Sequence, residues 1–183
     1  MAKKILIFII FSLFISSSSF SETKIIKELQ KGGKIVLIRH ALAPGGGDPP
    51  DFKLDECATQ RNLDSEGINQ SKRIGLFFSK NQIPIDKVLS SEWCRCKDTA
   101  RFAFKNFDTF NALNSFFDER FKKNKTRQIQ DLKDFLKKWD SKKNLVLITH
   151  YVVILEISNK TVSSGEIVIL DKNLNFIGSI NYI

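Results

Sequence analysis

Short continuous apolar runs alternate along the chain with stretches in which apolar residues recur every three or four positions. The runs KIVLI at 34–38 and LVLI at 145–148 have strand length and many β-branched residues, which is typical of strands buried on both faces. Further strands are predicted at 87–89, 109–113, 166–170 and 175–180. The last two flank a polar turn at 171–173 and could pair as an antiparallel hairpin at the sheet edge.

The helical period appears between these runs. Helices are predicted at 23–31, 64–80, 93–107, 129–139 and 151–158, and a long polar loop covers 41–62. Asp64 is the predicted N-cap of the second helix. The buried stripe of the third consists of Trp93, Cys96, Ala100, Ala103 and Phe107. This order predicts an α/β protein, a three-layer α/β/α sandwich with a mainly parallel central sheet, in which ligands bind beyond the carboxyl ends of the strands.

Residues 1–21 have the pattern of a secretory signal peptide. A basic start at Met1–Lys4 precedes an apolar run at Ile5–Ile15 that only Ser12 interrupts, and small residues at Ser19 and Ser21 allow cleavage before Glu22. The apolar run is shorter than the roughly 20 residues of a spanning helix. We therefore expect a periplasmic or secreted domain at 22–183 without stable membrane insertion after signal removal, with an uncleaved anchor as the alternative.

Charge and cysteine content narrow the classes of partner and compartment. The net charge is +9, but the lysines at 122–143 are scattered without interleaved aromatic residues, so we expect a solvated surface and no nucleic-acid site. The cysteines Cys57, Cys94 and Cys96 predict one disulfide and one spare thiol in an oxidising compartment. Their spacing is not that of a zinc site, and no metal is expected.

Candidate chemistry lies at the predicted strand ends. The two histidines of the chain, His40 and His150, each stand two residues beyond a buried strand, and Arg39 precedes the first. Arg95 follows the second strand, in the first turn of the next helix. Parallel strands would bring these four side chains to one edge. Arginine pairs with phosphate oxygens, and neutral imidazole is a nucleophile near pH 7, so the set indicates phosphoryl chemistry without a metal.

Four segments, in this order, resemble the histidine phosphatase superfamily, which includes cofactor-dependent phosphoglycerate mutases and many acid phosphatases. They are LIRHA (37–41), RNLDSEGINQSKRIG (61–75), LSSEWCRCKDTA (89–100) and VLITHY (146–151). The chain looks most similar to small exported bacterial members that carry the Trp-Cys-Arg-Cys stretch. The resemblance implies a phosphoglycerate mutase-like fold and a phosphomonoesterase that needs no cofactor and acts on a small phosphorylated substrate.

The resemblance also implies roles for individual residues. His40 would attack phosphorus and become phosphohistidine, while Arg39, Arg95 and His150 would hold the phosphoryl oxygens. Further predicted substrate contacts are Arg61, Asn62 and Ser91.

The general acid is the main departure from the family pattern, because Ser115 stands where phosphoglycerate mutase relatives place a Glu. Glu119 is the predicted replacement, and the other candidates are Asp118 and, from the 41–62 loop, Asp48 or Asp55. A missing acid would favour substrates with good leaving groups, phosphohistidine among them. Two other functions stay open: a non-catalytic protein that binds a phosphorylated ligand, and a phosphatase specific for a phosphorylated envelope sugar.

The cysteine pairing follows from the third helix. Cys96 lies on its buried stripe, where relatives commonly have Ala, whereas Cys94 is off the stripe and beside Arg95. We expect a Cys57–Cys94 disulfide, with Cys57–Cys96 as the alternative. It would tie the 41–62 loop, including the flexible Gly45–Gly47 segment near the pocket, to the helix that carries Arg95.

Overall fold

One mixed sheet forms the centre of the computed structural model, which describes residues 22–181. Its strands are β1 (Ile35–Arg39), β2 (Ile85–Ser90), β3 (Asp108–Thr109), β4 (Asn144–Thr149), β5 (Ile167–Leu170) and β6 (Phe176–Ile180). The order is β3-β2-β4-β1-β5-β6. The four strands β1, β2, β3 and β4 run parallel to one another, and β5 pairs antiparallel with both β1 and β6. The predicted mainly parallel sheet and its terminal antiparallel hairpin are confirmed.

The helices lie between these strands in the predicted order. They are α1 (residues 22–31), α2 (Ser65–Lys80), α3 (Cys94–Phe104), α4 (Glu119–Lys122), α5 (Lys125–Lys138) and α6 (Tyr151–Ser158). Asp64 caps α2 as predicted, since its side chain accepts a hydrogen bond from the Gly67 amide at 2.7 Å. Helix α3 is shorter than predicted and ends before Phe107. None of the helices within 22–181 is long and apolar enough to span a bilayer, and the predicted signal peptide lies outside the described residues.

The strand predicted at 109–113 is wrong over most of its length. Only Asp108 and Thr109 pair with β2, and the chain then turns into a short 3-10 helix at Asn111–Leu113. This turn brings the fully buried Leu113 under the sheet, where its carbonyl accepts a hydrogen bond from Thr149 Oγ1 at 2.6 Å. Burial of Leu113 against the helical layer therefore outweighs further strand pairing at this edge.

The two faces of the sheet belong to two different hydrophobic cores. Along β1, Val36 and Ile38 pack with residues of α1, α2 and α3, while Ile35 and Leu37 pack with residues of α5 and α6. This alternation is the strand period of two, here with apolar residues on both faces because helices cover both. The predicted three-layer α/β/α arrangement is confirmed.

Helix α2 fixes the segment that follows β1. Gly67 touches the backbone of Leu42 so closely that an added Cβ would lie 2.0 Å from the Leu42 carbonyl oxygen. One turn later, Gln70 Oε1 accepts a hydrogen bond from the Leu42 amide at 2.9 Å, and its Nε2 donates to the Ser164 carbonyl at 2.9 Å. The Gly67-x-x-Gln70 pattern therefore holds the backbone directly after His40.

The disulfide joins the 41–62 loop to α3. Cys57 and Cys94 are bonded with their Cα atoms 5.6 Å apart, and Cys96 is a buried free thiol. The predicted pairing is confirmed. Cys94 is itself buried, although it lies off the predicted stripe, because Cys57 and Gln60 of the loop cover it; the Gln60 Oε1 accepts from the Cys94 amide at 3.0 Å.

Candidate active site

A cavity of about 210 Å³ opens at the carboxyl ends of β1, β2 and β4. The four residues predicted to meet here, Arg39, His40, Arg95 and His150, all line it. Arg61 lines it from the 41–62 loop, together with Gly45–Gly47 and Asp48. The structure therefore brings two imidazoles and three guanidinium groups to one pocket at the sheet edge.

His40 is buried and held in one tautomer. Its Nδ1 lies 2.8 Å from the Ala41 carbonyl oxygen, and because a carbonyl can only accept, Nδ1 carries the proton. The other ring nitrogen, Nε2, then bears a lone pair. Burial, and next the positive charge of Arg95, hold the pKa of His40 well below its ordinary value of 6.5. His40 is thus a neutral imidazole at pH 7, the form in which it can act as a nucleophile.

His150 lies beside His40, with ring centroids 5.5 Å apart in an edge-on arrangement. Burial, followed by the charge of Arg95, also lowers its pKa well below 6.5. Its Nε2 is 2.9 Å from the Ser91 hydroxyl and 3.5 Å from the Cys96 sulfur. Burial raises the pKa of Cys96 to about 12, so that the thiol stays protonated and offers no competing nucleophile.

The arginines form a cluster of positive charge around the two histidines. Arg39 is half-buried; its Nη1 donates to the Val162 carbonyl at 2.8 Å, and its guanidinium lies 5.7 Å from the Tyr151 ring centroid. Arg61 donates through Nε to the Gly47 carbonyl at 2.7 Å. Burial lowers the pKa of both, but an arginine remains charged at any physiological pH. Such a cluster suits an anion with more than one negative charge.

Asp48 holds Arg95 in place. Asp48 Oδ1 accepts from Arg95 Nη1 at 2.8 Å and from the Arg61 amide at 3.0 Å, while Oδ2 accepts from Arg95 Nη2 and Trp93 Nε1, both at 3.1 Å. The pair is almost completely buried. From the sequence, Asp48 was predicted only as a candidate acid. Its pairing with Arg95 was not predicted, because the two residues lie 47 positions apart. With two N–H donors at each oxygen, Asp48 has no free lone pair to carry a proton.

The predicted general acid Glu119 does not line the cavity. Its side chain is exposed and pairs with Lys122 at 2.9 Å on α4. Asp118 does line the cavity, but it caps α4 and pairs with Arg120; hydrogen bonds from Arg120 lower the pKa of Asp118 to about 2. Asp55 is exposed and outside the cavity lining. The structure therefore does not place the predicted acid Glu119 at the pocket; residue spacing does not show which side of a one-turn helix faces it.

Two predicted substrate contacts lie just outside the cavity. Ser91 is buried behind His150 and donates to Asn114 Oδ1 at 3.1 Å, so that it orients the imidazole rather than lining the pocket. The Asn62 amide donates to the Cys57 carbonyl at 2.6 Å and braces the disulfide loop. The structure thus gives Ser91 and Asn62 supporting positions, and their contact with substrate stays a prediction, whereas the third predicted contact, Arg61, does line the cavity.

The mouth of the cavity is aromatic. Phe117, which is largely exposed, and Tyr151 lie there with ring centroids 5.9 Å apart, and the buried Trp93 and Phe52 also line the cavity. Within residues 22–181, no group of three or more histidine, cysteine, aspartate or glutamate side chains is placed to hold a metal ion.

Comparisons with known proteins bear on the fold. No family model matches the chain, and no curated protein matches it. Among solved structures, the protein histidine phosphatase SixA complexed with tungstate is 14% identical with a TM-score of 0.58, over 80% of this chain and 96% of SixA. Phosphoserine phosphatase from Entamoeba histolytica, in complex with 3-phosphoglyceric acid, is 15% identical with a TM-score of 0.58, over 81% of this chain and 97% of that one. The chain therefore has the phosphoglycerate mutase-like fold of the histidine phosphatases, which confirms the fold that the resemblance implies.

Proposed function

We propose that this chain is a phosphatase of the histidine phosphatase superfamily that hydrolyses phosphate monoesters through a phosphohistidine at His40. The observation that carries the proposal is the state of His40: a buried, neutral imidazole whose Nδ1 proton is bound by the Ala41 carbonyl, next to three arginines. A structural histidine does not require a cavity or a ring of cations. A nucleophile toward a phosphate dianion requires both.

In the first step, the Nε2 lone pair of His40 forms a bond to phosphorus while the bond from phosphorus to the ester oxygen breaks. The electron pair of that bond leaves with the oxygen. Arg39, Arg95 and His150 surround the phosphoryl oxygens and stabilise the negative charge on them in the transition state. The fixed positions of these groups replace the charge neutralisation that a metal ion gives in other phosphoryl transfer sites.

In the second step, the oxygen of a water molecule forms a bond to phosphorus and the bond from His40 to phosphorus breaks. The electron pair returns to Nε2, one water proton passes to solvent or to the released phosphate, and the free enzyme is restored. The hydrogen bond from Nδ1 to the Ala41 carbonyl orients the ring throughout both steps.

Export and metal independence belong to the same proposal. The signal-peptide pattern at residues 1–21 supports export, and the Cys57–Cys94 disulfide fits an oxidising compartment. The positively charged pocket supports catalysis without a metal, because it offers a phosphate the neutralising groups that a metal would supply. We expect activity to survive EDTA and to be blocked by vanadate or tungstate, which mimic the five-coordinate transition state.

The test is turnover of p-nitrophenyl phosphate by the purified domain, because its leaving group needs little protonation. We expect wild-type turnover in EDTA, inhibition by vanadate, and none with His40→Ala. Turnover lost in chelator and restored by a divalent ion would overturn metal independence. Equal turnover by His40→Ala would overturn the nucleophile.

A non-catalytic protein that binds a phosphorylated ligand is the second candidate. The observation that favours it is that neither carboxylate of the described cavity lining is free to protonate a leaving group, since Asp48 is fully paired and Asp118 pairs with Arg120. Such a protein would bind vanadate or phosphate, as measured by calorimetry, and would not turn over p-nitrophenyl phosphate. Turnover that His40→Ala removes excludes this candidate.

A further inference from the structure

We infer that the site is selective for phosphoryl groups carried on a small aromatic ring, which Phe117 and Tyr151 bind at the cavity mouth and which departs without a proton from the enzyme. This inference rests on the proposed function and names the substrate class for it. It combines two independent features of the pocket: its exposed aromatic mouth and the state of the carboxylates that line it.

The aromatic mouth is the first feature. The Phe117 side chain is 56% exposed, the largest exposed fraction among the large hydrophobic residues of the described chain. It makes an edge-to-face contact with the Tyr151 ring, and the Arg39 guanidinium also lies over that ring. Exposed phenylalanine is unfavourable in water, whereas a ring beside two others gains both apolar burial and edge-to-face contact. The phosphoryl group fits among the arginines, so the remainder of the substrate extends past these rings.

The size of the cavity limits what can sit there. Its volume of about 210 Å³ is below the roughly 300–1,000 Å³ of sites that enclose drug-sized ligands. One phosphoryl group and one ring are therefore a better match than a nucleotide or an oligosaccharide.

The carboxylates are the second feature. Cleavage of an alkyl phosphate needs a proton for the departing alkoxide, which is strongly basic. Asp48 accepts two N–H hydrogen bonds at each oxygen, and Asp118 is an ionised partner of Arg120. At the position where relatives place a Glu, Ser115 lines the cavity, and a serine hydroxyl is a poor acid. A phenolate leaves without such help because its charge is delocalised over the ring, and an imidazole does so because it leaves as a neutral molecule when its second nitrogen already carries a proton.

The two features predict separate kinetic effects, which three substrates can distinguish. Phenyl phosphate has an aromatic ring and a good leaving group, benzyl phosphate has the ring but an alkoxide leaving group, and cyclohexyl phosphate has neither. We expect KM to follow the ring, so that phenyl and benzyl phosphate share a low value. We expect the rate of His40 phosphorylation, measured in a single turnover, to follow the leaving group, so that phenyl phosphate reacts roughly a hundredfold or more faster than the other two.

Variants at the mouth test the ring contact. Phe117→Ala should raise KM for phenyl and benzyl phosphate by about threefold to tenfold, the range of one aromatic contact, and raise it less for cyclohexyl phosphate, whose ring makes apolar contact but no edge-to-face contact. Phe117→Tyr should restore the wild-type values. The matched control is Phe176→Ala, which removes a 43% exposed phenylalanine from β6, outside the cavity lining. It should change none of them.

Different results would overturn the proposed function, the leaving-group selectivity and the ring binding. No turnover of phenyl phosphate and no phosphorylated His40 would overturn the proposed function itself. Phosphorylation of His40 at equal single-turnover rates by all three substrates would show that an acid acts in the site and would overturn the leaving-group selectivity. Ring binding would be overturned if phenyl and cyclohexyl phosphate had the same KM in the wild type and if Phe117→Ala left both KM values unchanged. A phosphohistidine peptide, assayed beside phenyl phosphate, shows whether the preferred ring belongs to a small molecule or to a protein side chain.

Discussion

Loss of the Cys57–Cys94 disulfide is expected to lower stability and to impair the active site. The bond closes a loop across a sequence separation of 37 residues. The chain-entropy model gives about 4 kcal/mol for a loop of this length, because the cross-link removes conformations from the unfolded chain. A change of 1 kcal/mol shifts Tm by roughly 2–4 °C in a domain of this size. Reduction should therefore lower Tm by about 8–16 °C.

The effect on catalysis follows from what the loop carries. Asp48, the anchor of Arg95, lies in the 41–62 loop that Cys57 ties to α3, and Arg95 is the residue after Cys94. Without the bond, the loop is held by weaker contacts, and the buried Asp48–Arg95 pair loses its alignment. In reductant, we therefore expect kcat to be lower even at temperatures well below the reduced Tm.

The assay is thermal unfolding by circular dichroism with and without reductant, alongside phosphatase rates at 25 °C. Cys57→Ser is the matched control, because Cys57 is exposed and its replacement removes the bond with little change in packing. This variant should unfold like the reduced wild type and should not respond to reductant. A Tm that stays within about 2 °C on reduction, with the thiols shown to be free, would refute the loop-entropy reasoning.

Three further predictions concern the histidines, a glycine and the buried carboxylate. Burial lowers the pKa of both histidines, so an NMR titration should show each imidazole neutral from pH 8 down to well below 6.5; an ordinary midpoint near 6.5 for His40 would contradict the account. Gly67→Ala should destabilise the domain to urea by about 1–3 kcal/mol through its clash with the backbone after β1, whereas Gly46→Ala, with open space around it, should not; equal stabilities would refute the contact. Asp48→Asn should lower kcat by the same factor for p-nitrophenyl and benzyl phosphate, because it acts by positioning Arg95; a much larger loss with benzyl phosphate would identify it as the acid.

The pocket residues that lie at the ends of strands were predictable from the sequence. His40 and His150 follow β1 and β4, which are neighbours in the sheet with Arg39 paired to Thr149, so the two rings necessarily emerge side by side. Arg95 was predictable for a similar reason, since it begins the helix after β2. The topology of parallel strands carries this information, and a buried apolar run is enough to detect each strand.

The loop and the short helices were not predictable in the same way. The pairing of Asp48 with Arg95 depends on the path of the 41–62 loop. Because the polar residues of this loop have no period, the sequence does not show which of its carboxylates reaches Arg95. The position of Glu119 was not predictable because α4 is a single turn, and a shift of one residue decides whether a side chain faces the pocket or water. Ser91 lies one layer behind the cavity, a distinction of a few ångströms that spacing does not resolve.

Trapping the phosphohistidine intermediate tests most directly whether His40 carries the phosphoryl group. The purified domain is mixed with a phosphorylated aryl substrate, quenched in alkali within milliseconds and mapped by mass spectrometry, since phosphohistidine survives base and is lost in acid. We predict a phosphoryl group on His40, absent in His40→Ala and absent after acid treatment. Turnover with an acid-stable adduct on Ser90 or Ser91, or with no adduct at any time, would contradict it.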